Sequence, residues 1–273
     1  MRRILVLISL LLGACSSPAV SQSRYPQNPA VSDAQGQPRD SSTFYFPAAD
    51  LASKPVLTAN QLSAEEQNTQ AAYCREVFGG ASANLHCFGA PVLSNYYLGH
   101  DTYRFLWLQS FHRPVLLTLT QQADGATLRT QFLTKSASAP RLAVILFIPP
   151  TASPQEAARL QREFDLEQKN PEVQRKLAET NRPAEQLPQL ETTRLLTPQQ
   201  WQQFQQLLQR SGFSRQTVCE SSTVVDGAYW MLEAHTADSY HAVLRHSPDK
   251  PDGFRRACEY LLDLSAARKE RRY

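Results

Sequence analysis

The carboxy-terminal part of the chain contains the pattern that most constrains the fold, two short strands followed by an amphipathic helix. Residues 228–235 and 240–246 are rich in aromatic and aliphatic side chains that favour extended backbone. The few polar residues between them are enough only for a tight hairpin turn. Asp252 can cap a helix, and apolar residues recur after it at helical spacing as far as Leu262. The stretch therefore predicts an antiparallel hairpin with a helix packed on one of its faces.

The length of the hairpin loop decides which side chains of the two strands share a face. We expect a three-residue loop at 237–239, which places Thr236 opposite Tyr240. The face predicted to join the core is mostly apolar and contains Trp230, Leu232, Ala234, Tyr240, Ala242 and Leu244. The opposite face is half polar and contains Met231, Glu233, His235, His241, Val243 and Arg245. A change of one residue in the loop would mix these two sets.

The half-polar face supplies a candidate polar cluster, formed by Glu233, His235, His241 and Arg245. Histidine beside a carboxylate can perform acid–base catalysis or bind zinc. The alternative is a solvated face with one Glu233–Arg245 ion pair, which contributes at most about 1 kcal/mol. The opposite face is apolar enough for a core, so the solvated face is favoured. We therefore predict no catalytic residue, no metal site and no cofactor.

The rest of the chain alternates strand patterns with helix patterns. Four strands joined by short connections predict an antiparallel meander, at 103–111, 115–121, 127–134 and 142–148. Capping patterns predict one helix that ends at Phe78, with Gly79 as its stop, and another after Thr197; a further strand is predicted at 190–196. We expect a single α+β domain at 43–267, built from meander strands and packed helices.

Two charged segments are predicted to lie outside the core. Residues 154–180 form two helices rich in Gln, Glu, Lys and Arg, a surface excursion with few apolar positions. Residues 268–273 form a basic, solvated tail, for which a membrane-surface or acidic-partner contact is the alternative. The net charge is +3, and it falls to about +1 when Arg2 and Arg3 are removed. This balance excludes a nucleic-acid partner.

The amino-terminal residues indicate export and lipid anchoring. Residues 1–14 combine two arginines with an apolar run too short to cross a bilayer, which is typical of a signal peptide. Residues 12–15, Leu-Gly-Ala-Cys, resemble a bacterial lipobox, which implies cleavage before Cys15 and acylation of that residue. The alternative is an ordinary signal peptide with an incidental cysteine. Residues 15–42 are polar and are predicted to form a flexible tether.

The lipid on Cys15 would make the membrane a partner of the chain. Serines follow Cys15 and no acidic residue is close behind, so by resemblance to lipoprotein sorting the chain is expected at the outer membrane, facing the periplasm. Replacing Cys15 with Ser should abolish palmitate labelling. Unchanged labelling of the Cys15→Ser protein would show that the lipobox prediction is wrong.

Four further cysteines in an exported chain predict disulfides, because the compartment is oxidising. We expect Cys74 to pair with Cys87, linking a helix to its following loop. We expect Cys219 to pair with Cys258, linking the segment before the hairpin to the covering helix. A metal site of Cys74, His86 and Cys87 is the alternative, but its spacing fits no zinc template.

Signatures of nucleophilic catalysis are weak in this sequence. The chain has no Gly-x-Ser-x-Gly elbow and no His-Glu-x-x-His pattern. Residues 247–250 match Ser-x-x-Lys and residues 82–84 match Ser-x-Asn, but no Lys-Thr-Gly triplet follows. Ser247 also falls at a strand end instead of opening a helix. These matches do not predict an acyl-enzyme.

Two spaced patterns resemble an uncharacterised family of bacterial envelope proteins. The first is Asp226-Gly227…Trp230-x-Leu232-Glu233…Tyr240-His241-x-Val243-x-Arg245-x-Ser247-Pro248. The second is Tyr103-Arg104-Phe105-x-Trp107-Leu108…Phe111-His112-x-Pro114. The resemblance implies an exported α+β domain and brings no assigned activity.

Two functional classes remain open from the sequence. The first is a non-catalytic envelope lipoprotein that binds a partner or supports assembly. The second is an envelope hydrolase or metal-dependent enzyme that uses Glu233, His235 and His241. A deep pocket lined by these three residues would favour the enzyme, whereas the absence of a catalytic signature favours the binding module.

Overall fold

A computed structural model describes residues 24–47, 64–123, 125–138, 143–184, 189–223 and 226–272. Its strands are β1 (Thr102–Gln109), β2 (Val115–Gln122), β3 (Gly125–Phe132), β4 (Leu190–Leu196), β5 (Ala228–His235) and β6 (Tyr240–His246). Its helices are α1 (Ala64–Cys87), α2 (Pro154–Lys169), α3 (Pro171–Thr180), α4 (Pro198–Arg210) and α5 (Gly253–Leu264). The strands form one antiparallel sheet in the order β4-β3-β2-β1-β5-β6. The predicted α+β class is confirmed, as is the carboxy-terminal hairpin followed by a helix.

The two faces of the sheet bury separate apolar clusters. Helices α4 and α5 cover one face, here the α4–α5 face, where the core includes Trp107, Trp230 and Phe254. Helix α1, the amino-terminal segment 24–47 and the loop 88–101 (the α1–β1 loop) cover the other, here the α1 face. A helix layer on each side of one sheet is a stable way to bury both faces.

Helix α1 continues past the predicted stop at Gly79. The helix ends at Cys87, and Gly89, at φ 63°, forms the left-handed cap instead. The N–H groups of Gly89 and Ala90 donate to the carbonyl oxygens of the last helical turn. Tertiary packing of buried residues beyond Gly79 therefore outweighs the low helix propensity of glycine.

The fourth meander strand is not the predicted 142–148 segment. Residues 143–149 are described and belong to no strand, and Ile145 and Phe147 are largely exposed. The predicted strand at 190–196 is β4, and its seven residues pair along the edge of β3. Because β4 occupies this edge, the 143–149 segment has no place in the sheet beside β3.

The flexible tether predicted for residues 15–42 extends too far toward the carboxy terminus, because part of this range is attached to the domain. Tyr25 and Ser32 are buried, although they lie in the segment that the composition assigned to a tether. The Tyr25 hydroxyl donates to the backbone of the β5–β6 turn, and Asn95 donates to Ser32. These few specific contacts fix a polar segment to the domain surface. Residues 1–23, including Cys15, lie outside the described residues.

The helical excursion predicted at 154–180 corresponds to α2 and α3. Neither helix has a buried residue, and the two helices contact each other. The tail is less free than predicted, because Glu270 pairs with Arg113 at 2.7 Å and Arg272 pairs with Asp263 at 2.5 Å. In the described ranges, no helix combines the length and apolar character needed to cross a membrane.

The disulfide joins Cys74 to Cys219, so both predicted pairings are wrong. Cys74 and Cys87 lie on one helix, thirteen residues or about 20 Å apart along its axis. Cys219 belongs to the core of the α1 face and Cys258 to that of the α4–α5 face, so the sheet separates them. Cys87 and Cys258 are buried and take no part in this disulfide, and burial raises the pKa of the Cys258 thiol.

Candidate functional site

The β5–β6 hairpin closes with two loop residues, one fewer than predicted. Thr236 and Ser239 exchange backbone hydrogen bonds of 2.9 and 3.3 Å, and Tyr240 pairs with His235. Because side chains alternate between faces, this one-residue shift moves every side chain of β6 to the opposite face from the one predicted. The prediction therefore assigned the wrong β6 side chains to both the core face and the half-polar face.

The sheet divides the predicted polar cluster. Glu233 and His235 lie on the α1 face and are fully buried, each 0% exposed. His241 and Arg245 lie on the α4–α5 face and are partly exposed. The expected solvated face is wrong, because half of the cluster lies in the core. The four residues also do not form one acid–base or metal site.

Glu233 pairs with Arg104 of the neighbouring strand β1. Arg104 Nε and Nη2 donate to the two carboxylate oxygens at 2.6 and 2.8 Å. The Tyr240 hydroxyl donates to the same carboxylate at 2.9 Å, and Arg104 Nη1 donates to Pro91 O at 2.5 Å. The two charges therefore compensate each other inside the core and fasten the α1–β1 loop to the sheet.

His235 is a second attachment point for the α1–β1 loop. The backbone N–H of Leu98 donates to Nε2 at 2.9 Å, so Nδ1 carries the proton and donates to Leu93 O at 2.8 Å. The rings of Tyr25 and Tyr97 pack on the imidazole, with centroids 5.1 Å away. Burial lowers the pKa of His235, which favours the neutral form that these bonds require. Both ring nitrogens are engaged in these hydrogen bonds, so His235 has a structural role.

The remaining cluster residues fasten the segment before β5. Arg245 donates to Thr217 O at 2.9 Å and pairs with Glu220 at 3.1 Å. The His241 ring packs edge-on against Phe213, with centroids 5.0 Å apart. Burial lowers the pKa of Arg245. These contacts give both residues a structural role that does not require a catalytic one.

Ser247 is also explained by structure. Its hydroxyl accepts a hydrogen bond from the Ala228 N–H at 3.0 Å. A Cβ added to Gly227, at φ 137°, would lie 2.1 Å from Ser247 Oγ, so only glycine fits there. The Asp-Gly…Ser-Pro spacing thus marks the place where β5 begins and β6 ends.

The cysteine-based metal alternative is wrong as well. The sulfur of Cys74 is in the disulfide and is not available as a thiolate ligand. Within the described parts of the chain, no group of three or more His, Cys, Asp or Glu side chains is placed to hold a metal ion.

A polar groove opens on the α1 face, above the strands that α1 leaves uncovered. Its volume is about 280 Å³. Its wall is the apolar side of the α1–β1 loop, and its floor is formed by side chains of β1 to β4. We call it the strand groove; its polar lining residues are His100, Thr102, Arg104, Thr118, Thr120, Gln122, Thr127, Arg129, Gln131 and Thr193.

The groove floor is an ordered array, because the strand register aligns its side chains. Thr102, Thr120 and Thr127 face one another across β1, β2 and β3. A second row runs beside it through Arg104, Thr118, Arg129 and Thr193. Neighbouring strands lie about 4.8 Å apart, so hydroxyl and guanidinium groups are spaced regularly along each row.

Three polar atoms of this floor lack a partner within the described structure. They are Thr102 Oγ1, Thr127 Oγ1 and Arg129 Nε, and each is buried from solvent. Thr102 as a whole is only 3% exposed. An unsatisfied buried polar atom costs about 1–3 kcal/mol, so three in one groove mark a place suited to a polar ligand. The strand groove is therefore the candidate functional site.

Sequence reasoning missed this groove, although one signal was present. In β2 and β3 polar residues alternate with buried apolar residues, as in Thr118 and Thr120, and then Thr127, Arg129 and Gln131. Such alternation is normally taken as a solvent-facing side. Only the tertiary position of the α1–β1 loop turns that side into a groove.

Comparison with known proteins gives no relative: no family model, no curated protein and no solved structure matches the chain significantly.

Proposed function

We propose that the chain is a lipid-anchored, non-catalytic binding protein of the bacterial envelope, and that its ligand occupies the strand groove. The buried unpartnered atoms Thr102 Oγ1, Thr127 Oγ1 and Arg129 Nε are the observation that carries the proposal. Ligand sites characteristically combine an apolar wall with a few convergent polar groups. The enzyme alternative has less support, because Glu233 and His235 are committed to holding the α1–β1 loop.

The proposed anchor would hold the groove-bearing domain close to a membrane. Nine residues lead from Cys15 to Arg24, a reach of at most about 30 Å even when fully extended. Arg24 pairs with Asp238 of the β5–β6 turn at 3.1 Å, so this end of the sheet would lie nearest the lipid. Outer-membrane delivery with a periplasmic location remains part of the proposal.

Membership of the envelope family that the two sequence patterns resemble is likewise a proposal. The patterns lie on β1 and on β5–β6, which are adjacent in the sheet. One pattern supplies Arg104 and the other supplies Glu233, and these two residues form the buried ion pair. A chain with both patterns would therefore share the attachment of the α1–β1 loop and the wall of the groove.

Ligand binding in the groove predicts a thermal shift that a groove-filling substitution removes. The mature chain is screened against sugars, sugar acids, amino acids and dipeptides. At ten times its Kd, a ligand stabilises the protein by about 1.4 kcal/mol, which raises Tm by roughly 3–5 °C. We expect at least one compound to stabilise the wild type but not the Thr193→Trp variant.

Thr192→Trp is the matched control for this measurement. Thr192 and Thr193 are adjacent and exposed on β4, but only Thr193 lines the groove. The control variant should respond to ligand as the wild type does. An equal response of the Thr193→Trp variant, or no response to any compound, would contradict the proposed function.

A further inference from the structure

The charge of the strand groove selects among possible ligands. Arg104, Arg129 and His100 line it, and none of its lining residues in the described chain is acidic. The carboxylate of Glu233 neutralises Arg104 from the neighbouring strand, and Glu191 contacts Arg129 from an exposed position on β4. Both guanidinium groups are therefore ion-paired, but Arg129 keeps one unpartnered donor, Nε–H, in a described lining that has no carboxylate, which favours an oxyanion as ligand over a cation.

The unpartnered atoms specify where the anion and the other polar groups of the ligand would lie. Arg129 Nε–H can only donate, and guanidinium donors form their strongest hydrogen bonds with carboxylate oxygens. Thr102 and Thr127 present hydroxyl groups that can both donate and accept, and Thr120 lies between them in the row. Hydroxyl groups on the ligand match this row, because they too can act in both ways.

The opposite wall of the groove has a different chemistry. Ala90, Pro91, Leu93 and Leu98 present apolar surface from the α1–β1 loop. A ligand that fits between this wall and the threonine floor needs an apolar face and a polar edge. A sugar ring has C–H faces and hydroxyl edges, and the groove volume of about 280 Å³ is near the lower end for small-ligand sites.

We infer that the strand groove binds a small polyhydroxylated carboxylate of the sugar-acid class. The carboxylate contacts Arg129 Nε, the hydroxyl edge contacts Thr102, Thr120 and Thr127, and the ring face packs on the α1–β1 loop. This inference rests on the proposed function, since it names the ligand class of the same site.

Calorimetric titration of the mature full-length protein with three matched probes tests the inference. D-Glucuronate has both the carboxylate and the hydroxyl groups, D-glucose lacks the carboxylate, and cyclohexanecarboxylate lacks the hydroxyl groups. We expect glucuronate to bind at least tenfold more tightly than either of the other two. Equal or tighter binding of glucose or cyclohexanecarboxylate would overturn the sugar-acid assignment.

Two variants assign the two halves of the ligand to their protein partners. Arg129→Gln should weaken glucuronate binding at least tenfold and leave glucose binding unchanged. Thr127→Val, which keeps the side-chain shape, should weaken glucuronate and glucose but not cyclohexanecarboxylate. Arg129 is partly exposed, so its replacement leaves folding intact. Glucuronate binding that is insensitive to both variants would overturn the inference.

The outcome separates this inference from the proposed function. If another compound of the screen binds in a manner blocked by Thr193→Trp and none of the three probes binds, the sugar-acid assignment fails and the groove remains a ligand site. If no screened compound binds and no probe binds, both fail.

Discussion

The Arg104→Met variant should be destabilised by about 3–5 kcal/mol, because it leaves Glu233 as an uncompensated charge in the core. The pair is fully buried, with side-chain exposures of 1% and 0%, and it also holds Pro91 of the α1–β1 loop. Urea denaturation of the wild type and the variant measures the loss. A change below about 1 kcal/mol would contradict the structural role of the pair.

The exposed ion pair Arg159–Glu163 on α2 provides the matched control for this variant. Its N–O distance of 2.9 Å is comparable, but both side chains are more than half exposed. Arg159→Met should change stability by at most about 0.5 kcal/mol. The double variant Arg104→Met/Glu233→Leu should recover part of the loss, because removing both charges avoids an unpaired one.

Loss of the Cys74–Cys219 disulfide should cost about 5 kcal/mol on chain-entropy grounds, because the bond closes a loop with a sequence separation of 145. The bond ties α1 to the segment that pairs with β6 through the Cys219–Leu244 bridge. Urea denaturation of Cys74→Ala/Cys219→Ala, and of the wild type with and without reductant, measures this loss.

The Cys258→Ala variant is the control for the disulfide prediction, since Cys258 is buried and free. Its stability should still fall on addition of reductant by the same amount as that of the wild type. Peptide mapping should find Cys74 joined to Cys219. A map that joins Cys74 to Cys87, or a loss on reduction below about 1 kcal/mol, would contradict the structure.

The α+β class was predictable from the sequence because local patterns determine it. The hairpin strands follow from the alternation of their side chains, and α5 follows from the helical spacing of its apolar residues. The strands β1, β2 and β3 follow from short apolar runs. The fourth meander strand was not predictable in this way. Residues 143–149 have a strand pattern, but pairing with β3 is a tertiary choice between that segment and β4.

The candidate site was less predictable, because it depends on a hairpin register and on the position of a loop. One residue fewer in the turn moved His241 and Arg245 away from Glu233 and His235. Disulfide pairing failed for a related reason, since Cys74 meets Cys219 only through packing of α1 on the sheet. Sequence spacing alone does not contain these distances.

The central claim is that Arg104, Glu233 and His235 hold the α1–β1 loop in place so that the threonine floor beneath it can bind a ligand. The most direct measurement follows threonine-methyl NMR resonances of the protein during titration with glucuronate and with the compounds of the thermal-shift screen. The methyl resonances of four groove residues should shift as the ligand concentration rises. These residues are Thr102, Thr118, Thr120 and Thr127. The resonance of Thr236, in the hairpin turn, should not shift. Shifts confined to Thr236, or no shift at any groove threonine with any of these compounds, would contradict the claim.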